Sequence, residues 1–380
     1  MTRQSLRRVK AIAWKEFVQI KRDPRSLALA LGIPIFLLVI FGYGLSLDID
    51  HVRTVVWNQD ASSELTRNFL FNFKNSKYFK IIKYTDNYRD VERMINSGEV
   101  IMALIIPKDF SHYIESGQAA PLQLIMDGSD ANTATIARGY VRAVVSNYNV
   151  KLIKDTFAAH GMKPVKSVDA RTRIWFNMGL TSTWFIVPGV IAMIIMIIAA
   201  LLTSICIARE WERGTMEQLI STPVKAPELV IGKFIPYFAI GFFDLTVGVL
   251  MARFLFDVPF RGSYLILVIL SALFLTGALS QGIVISIVAR TQLMASQLAT
   301  LTTMIPTILL SGFIYPIFNM PKALQLVTYL IPARYYIVIL RELFLKGTDM
   351  TSMWDETLFL FIFALFMLRL AVVKFKKKVA

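Results

Sequence analysis

Acidic side chains, histidine and cysteine are all scarce in this chain of 380 residues, and each shortage removes a class of function. A single cysteine, Cys206, rules out an internal disulfide framework, and its apolar surroundings predict a packed thiol rather than a reactive one. With that cysteine and three histidines, a zinc or iron centre built from those residue types is not expected. No G-x-x-x-x-G-K-[ST] phosphate loop occurs, so the chain carries no ATP site of that kind. Paired catalytic carboxylates and nucleophile–base spacings do not stand out either, which makes an enzyme the weakest reading. Between Ile174 and Ala208 there is no Asp, Glu, Lys or Arg at all.

What the chain does have is apolar length. Hydrophobic residues make up 55% of it, with a mean hydropathy of +0.55. About twenty consecutive apolar residues cross a bilayer, and backbone amides in hydrocarbon must be satisfied internally, so such runs form helices. Leu27–Leu47, Phe185–Ala208, Phe234–Phe256, Tyr264–Ala289, Leu293–Phe318 and Leu358–Val373 qualify, predicting six spans. The first run is too long for a signal-peptide core and lacks a small-x-small cleavage pattern, so it is read as an uncleaved span. The net charge of +15 is a topology signal before it is a nucleic-acid signal. Eight Lys or Arg precede the first span, and Lys374, Lys376, Lys377 and Lys378 follow the last. The positive-inside rule then puts both termini in the cytoplasm, which requires an even number of spans. Nucleic acid is not an expected partner.

These features predict an α-helical polytopic membrane protein. Residues 1–26 hold a cytoplasmic amphipathic helix, with Leu6, Val9, Ala13, Phe17 and Ile20 at helical spacing, expected to lie on the inner membrane face. Asp23-Pro24 ends it. Residues 27–47 are the first span. Residues 48–173 alternate strand-like runs ("RTVVWNQD", "FKIIKYT", "VIMALIIP", "PLQLIMDGS") with helical ones, and Arg138–His160 reads as a long helix. That order predicts an α/β domain, which inside-start topology makes extracytoplasmic. Residues 174–380 form a five-helix membrane region. Within it, 208–233 is expected to be cytoplasmic, Arg290 marks a tight inner turn, and 321–346 carries re-entrant or interfacial helices on the outer side, the first bracketed by Pro321 and Pro332.

Three sets of charges invite a functional reading. Asp244 lies near the middle of the third span, where a carboxylate usually faces protein or water; it is either a polar point on a pathway or an acceptor for a neighbouring helix. Arg253 is nine residues away on nearly the opposite helix face, so its expected partner is Asp257, four residues on. The third set is "REWERGTMEQLISTP", Arg209 to Pro223, immediately after the charge-free run. Arg209, Glu210, Glu212, Arg213 and Glu217 supply both signs, and Trp211, Met216 and Leu219 supply apolar anchors, a mixture suited to docking. Thr215 and Gln218 have capping-box spacing, so a new helical turn is expected at Gly214-Thr215.

"REWERGTMEQLISTPVKAPELVIGK" closely resembles the cytoplasmic segment of ABC type-2 exporter permeases, in particular the bacterial drug-efflux-like group. "WKEFVQIKRDPRSLALALGIPIFLLVIFGYGLSLDI" and "LSGFIYPIFNMPKALQLVTYLIPARYYIVILRELFLKG" resemble that group's first span and outer segment, as does the strand–helix region with "VIMALIIPKDF". The resemblance covers nearly the whole chain. It implies that 208–223 is a coupling helix fitting a groove in a separate cytoplasmic ATPase, with Arg209, Glu210, Trp211, Glu212, Arg213, Gly214, Thr215, Met216, Glu217, Gln218 and Leu219 as its residues. Lys15 and Glu16 would pack beside the same partner. The implied ATP and Mg belong to that partner, with no cofactor in this chain. A second permease, identical or related, completes the expected assembly, in the inner membrane of a bacterium and with lipid around it. The implied activity is ATP-driven export of a hydrophobic or amphipathic cargo, with a periplasmic adaptor as a candidate acceptor. The rival classes are a membrane receptor using the external domain and a secondary transporter. The first lacks a cytoplasmic signalling domain; the second lacks paired midplane ion ligands and repeated halves.

Overall fold

The structure is a computed structural model, and it describes residues 3–44, 51–76, 78–159, 175–177 and 181–375. Two compact units emerge, one within Leu47–Arg173 and one from Met1–Ser46 with Ile174–Ala380.

At the N-terminus α1 (Arg3–Lys21) is followed after two residues by α2 (Pro24–Gly44). Proline at the first position of α2 fits because its missing N–H would be unpaired there anyway. In the α/β unit the strands are β1 (Val52–Asn58), β2 (Phe79–Thr85), β3 (Met102–Ile106) and β4 (Gln123–Met126). They lie in the order β2-β1-β3-β4, with β1 parallel to β2 and β3 and with β4 antiparallel to β3. The helices are α3 (Glu64–Lys74), α4 (Tyr88–Asn96), α5 (Phe110–Glu115) and α6 (Ala131–Ala159). The β1-to-β2 crossover steps one way across the sheet and the β2-to-β3 crossover returns past β1. Right-handed connections therefore send α3 and α4 to opposite faces. The core follows this division. Val52, Val56, Leu104 and Ile106 pack with Phe69, Phe73 and Tyr148 on one side, and Val55 and Ala103 pack with Val91 and Met94 on the other. Covered on both faces, β3 is apolar throughout and wholly buried. The four strands fall where the sequence predicts them. The long helix begins at Ala131, seven residues before the expected Arg138, and His160 lies outside the described residues.

Asp60, just beyond β1, pins this unit together. It accepts hydrogen bonds from Thr66 Oγ1 (2.9 Å) and the Ser111 N–H (3.0 Å), so one carboxylate holds the first turns of α3 and α5. Burial by itself would raise its pKa, but the hydrogen bonds from Ser111 and Thr66 outweigh that and hold the carboxyl below its ordinary value.

The remaining unit contains α7 (Ser182–Glu212), α8 (Thr215–Ser221), α9 (Ala226–Phe254), α10 (Tyr264–Ala289), α11 (Gln292–Ala299), α12 (Ile305–Leu310), α13 (Lys322–Thr328), α14 (Pro332–Arg341) and α15 (Trp354–Lys374). The charge-free helix α7 is central: every residue from Ile186 to Ala200 is buried. A helix apolar all round has no solvent face and is enclosed by others, here α2, α9, α10, α11 and α14. Polar clips reinforce the packing. Thr203 Oγ1 reaches the Leu279 carbonyl (3.0 Å), the Ile207 and Ala208 N–H groups both reach Ser286 Oγ (2.8 Å), and Ser271 pairs with the Tyr336 hydroxyl (2.6 Å).

Among the described residues five helices are long and apolar enough to cross a membrane: α7, α9, α10, the stretch Gln292–Leu310, and Met350–Lys374. These are the second to sixth expected spans. The apolar part of α2, Ala30–Gly44, is shorter, and residues 45–47 of the expected first span lie outside the described residues. The fifth helix departs from the expected Leu293–Phe318. It ends at Leu310, before Gly312 with φ +79°, and a π turn at Thr300–Met304 joins α11 to α12. Pro306 cannot donate to an i−4 carbonyl, and a wider turn directly ahead of it relieves that mismatch. In the segment expected to be re-entrant or interfacial, α13 and Pro332–Lys346 form a pair bent by 80°, the form of a broken span or a re-entrant loop, and α14 is buried in the protein through Tyr335, Tyr336, Ile337, Ile339 and Leu340. Arg341 at its end stacks on the Phe185 ring (3.5 Å) and donates to the Phe185 carbonyl (3.3 Å).

Candidate functional site

The charged segment is not one helix. Arg209 to Glu212 are the last turn of α7 itself; Arg213 caps it, and Gly214 turns the chain with φ +70° into α8. A side chain at that left-handed position would cost roughly 1 kcal/mol, which accounts for glycine there. The Thr215–Gln218 capping box does not form, because Thr215 is already inside α8 and its hydroxyl donates to the Glu210 carboxylate. The corner is thereby tied to the helix before it.

That placement divides the predicted contact residues into two groups. Glu210 and Met216 are buried, and Trp211 and Leu219 are half-buried against the helical core. Trp211 also carries Arg290 over its ring at 5.6 Å, and Arg290 is the left-handed residue (φ +60°) closing α10, the tight turn expected there. Glu212, Arg213, Gly214, Glu217 and Gln218 are exposed and form a ridge. Arg209 lies between the groups, 3.9 Å from Asp23. Glu212 does a second job: it accepts from both the backbone N–H and the side-chain amide of Gln292 (3.0 Å each), capping the first turn of α11.

Behind the ridge lies a set of charges that hydrophobic patterning does not find. Lys233, 1% exposed, contacts both Glu16 and Glu210, the latter at 3.3 Å, and Lys15 approaches Glu210 to 2.7 Å. Three helices, α1, α7 and α9, therefore meet in one buried cluster of two cations and two carboxylates. Alongside it, Arg8 donates to the Pro223 carbonyl (2.6 Å) and lies 3.5 Å from Glu228, which accepts from the Lys225 N–H at the start of α9. Glu16 is thus internal, while Lys15 remains half exposed. The expected amphipathic stripe of α1 shifts as well. Val9, Ile12 and Glu16 face α9, while Leu6 and Phe17 are exposed. Gly232 makes this approach feasible, since a Cβ there would come within 2.7 Å of Ile12 Cβ.

Lys233 was read as the edge of a cytoplasmic loop because the apolar run starts at Phe234. In the structure α9 starts at Ala226, the helix being opened by Pro227 and Glu228, and Lys233 is inside it. A lone lysine two turns into an apolar helix, opposite a conspicuous acid in α1, is the available clue. Beside the cluster a recess of about 530 Å³ is rimmed by Lys15, Arg22, Arg209 and Arg213, with Asp23 among them.

The other predicted sites resolve differently. Arg253 and Asp257 form no ion pair among the described residues: α9 ends at Phe254 and Asp257 adopts φ +51°, so the i,i+4 helical register is gone before Asp257 is reached. Asp244 is buried in α9, beside a small cavity shared with α2 and α7. No group of three His, Cys, Asp or Glu side chains gathers among the described residues, and Cys206 is buried, its carbonyl accepting from Lys233 at 3.4 Å.

Comparison with known proteins agrees with this architecture. A family model described as ABC-2 family transporter protein matches residues 24–373. The chain is 39% identical over 375 residues to the probable multidrug ABC transporter permease YbhS of Escherichia coli K12, covering 98% of each. It is 28% identical over 345 residues to the probable multidrug ABC transporter permease YbhR of the same organism, covering 90% of this chain and 91% of that one. The inner membrane transport permease YhhJ of that strain is 26% identical over 299 residues, covering 76% of both.

Proposed function

The chain belongs to the ABC-2 family of transporter proteins, and from that premise we propose that it is the permease subunit of an ATP-driven exporter, worked by a separate ATPase bound at the ridge of α8. The family assigns it a transporter permease role, and that role implies an ATPase subunit as partner. The observation that carries the finer reading is the split at the end of α7. Glu212, Arg213, Gly214, Glu217 and Gln218 are exposed, while Glu210, one residue from the ridge, is locked to α1 and α9. A push on α8 is thereby passed to three helices together, and through Glu212 to the start of α11. The basic recess beside it suits acidic groups on the same partner.

In this reading both termini, α1 and α8 face the cytoplasm, and the α/β unit lies on the far side of an inner membrane, where an adaptor is its candidate partner. Two permeases and two ATPase subunits form the working assembly, with ATP and Mg on the latter. ATP-dependent closure of the ATPases favours one state of the spans over the other, which is the differential affinity that any conformational shift requires. The cargo is hydrophobic or amphipathic, in keeping with the multidrug names of the relatives.

The test is ATP hydrolysis by membrane complexes purified through this chain. Glu217→Lys and Arg213→Glu alter the ridge without touching the buried cluster, and are expected to lose the co-purifying ATPase or its stimulation by cargo. Glu115→Lys, in the α/β unit, should leave both intact. Complexes gently extracted yet devoid of any ATPase would overturn the assignment.

A further inference from the structure

Asp244 is 6% exposed, and its Oδ2 has no hydrogen-bond partner among the described residues. It faces a cavity of about 10 Å³ between α2, α7 and α9, whose other walls are apolar, Pro34, Leu38, Ile191, Ile195 and Met251 among them. A buried carboxylate without a partner is among the costliest groups a protein can hold. Among the described residues Asp244 forms no ion pair. On its own helix Lys233 is eleven residues before and Arg253 nine after, roughly 16 Å and 13 Å along the axis. From α2 and α7 nothing can reach in, because residues 26–44 and 182–208 contain no charged side chain.

The size of the cavity limits what can complete the site. Ten cubic ångströms of this kind holds one water-sized group, and a water there would need two to four polar partners where the walls offer one carboxylate. A primary ammonium head is the same size and brings the opposite charge. Its hydrocarbon tail would meet the apolar walls, and Ile35 at the rim is exposed, so the recess is not sealed. A trimethylammonium head is too large, and a hydroxyl lacks the charge.

We propose that Asp244 is the docking point for the cationic head of a lipophilic primary amine, held between α2, α7 and α9. This names a cargo class for the transport reading above and rests on that reading for its role. The binding itself needs neither ATP nor a partner.

The experiment uses the full chain in lipid nanodiscs without nucleotide. A lipophilic diazo compound, which esterifies protonated carboxyl groups with loss of N2 and is not intercepted by amines, is applied, and the peptide carrying Asp244 is weighed by mass spectrometry. An adduct on Asp244 is expected, absent from Asp244→Asn, and lost in a saturable way when dodecylamine is added. Dodecanol and dodecyltrimethylammonium should leave it unchanged. No adduct on the native chain, or equal protection by the alcohol or by the quaternary analogue, would overturn the proposal, because the site would then be closed, merely greasy, or responding to surface charge. Loss of the ATPase partnership would overturn the preceding section and leave this result standing.

Discussion

Replacing Lys233 with methionine removes one cation from the cluster that joins α1, α7 and α9, and leaves Glu16 without its partner and Glu210 with Lys15 alone. At 3.3 Å the attraction between Lys233 and Glu210 alone is about 5 kcal/mol at an effective dielectric constant of 20. Desolvation offsets part of it, and removing one partner of a buried pair typically costs about 3–5 kcal/mol. For a chain of 380 residues that corresponds to a fall of roughly 4–6 °C in apparent Tm. Lys15→Met provides the comparison. Lys15 is 46% exposed, so its ion pair should be worth only about 0–1 kcal/mol. The decisive variant is Glu16→Met with Lys233→Met. Removing the stranded carboxylate along with the lysine restores neutrality, so the double variant should melt above Lys233→Met alone, a non-additivity expected only of groups in contact. The assay is tryptophan fluorescence during heating in matched nanodiscs at one scan rate. If Lys233→Met melts no lower than Lys15→Met, or if the double variant is simply additive, the cluster does not hold the three helices together.

Gly232→Val should separate α1 from α9, because even a Cβ would sit 2.7 Å from Ile12 Cβ; a loss of about 1–3 kcal/mol is expected from overpacking, whereas Gly32→Ala, with open space around it, should be neutral or slightly stabilising in the same melts. Asp60 sets a pH dependence in the α/β unit. Its folded pKa lies below the ordinary 3.8, so its contribution is complete above that value and disappears as pH falls through the folded pKa. The gap in melting temperature between the native chain and Asp60→Asn, followed in the full protein by fluorescence, should therefore be constant from pH 7 to about 5 and close below about 4; a gap that widens in acid would contradict the hydrogen-bonded carboxylate.

Periodicity made the α/β unit legible: β1 to β4 alternate or run apolar as their burial demands, and each is bounded by turn residues such as Asn75-Ser76 and Gly98. The apolar runs likewise gave α7, α9, α10 and α15, because hydrocarbon selects for length and composition, both of which are written in the sequence. Ends were less legible. The charged tail of α7 reads as the start of something new, yet helix continues through Glu212 because no residue before Gly214 breaks it. The π turn before Pro306 and the buried α14 depend on neighbours, which local patterns do not encode. The functional ridge was half legible. Its residue types pointed to docking, but which of them face inward was decided by Lys233 and Glu16, over two hundred residues apart in sequence and joined only by the crossing of α1 over α9.

Lys15 and Lys233 against Glu16 and Glu210 sum to zero charge. A membrane potential does work on displaced charge, about 2.3 kcal/mol per elementary charge per 100 mV. Moved as one body, these four charges contribute no net gating charge, so whatever charge α1, α7 and α9 displace comes from their other side chains, foremost Arg3, Arg7, Arg8, Lys10 and Lys21 of α1.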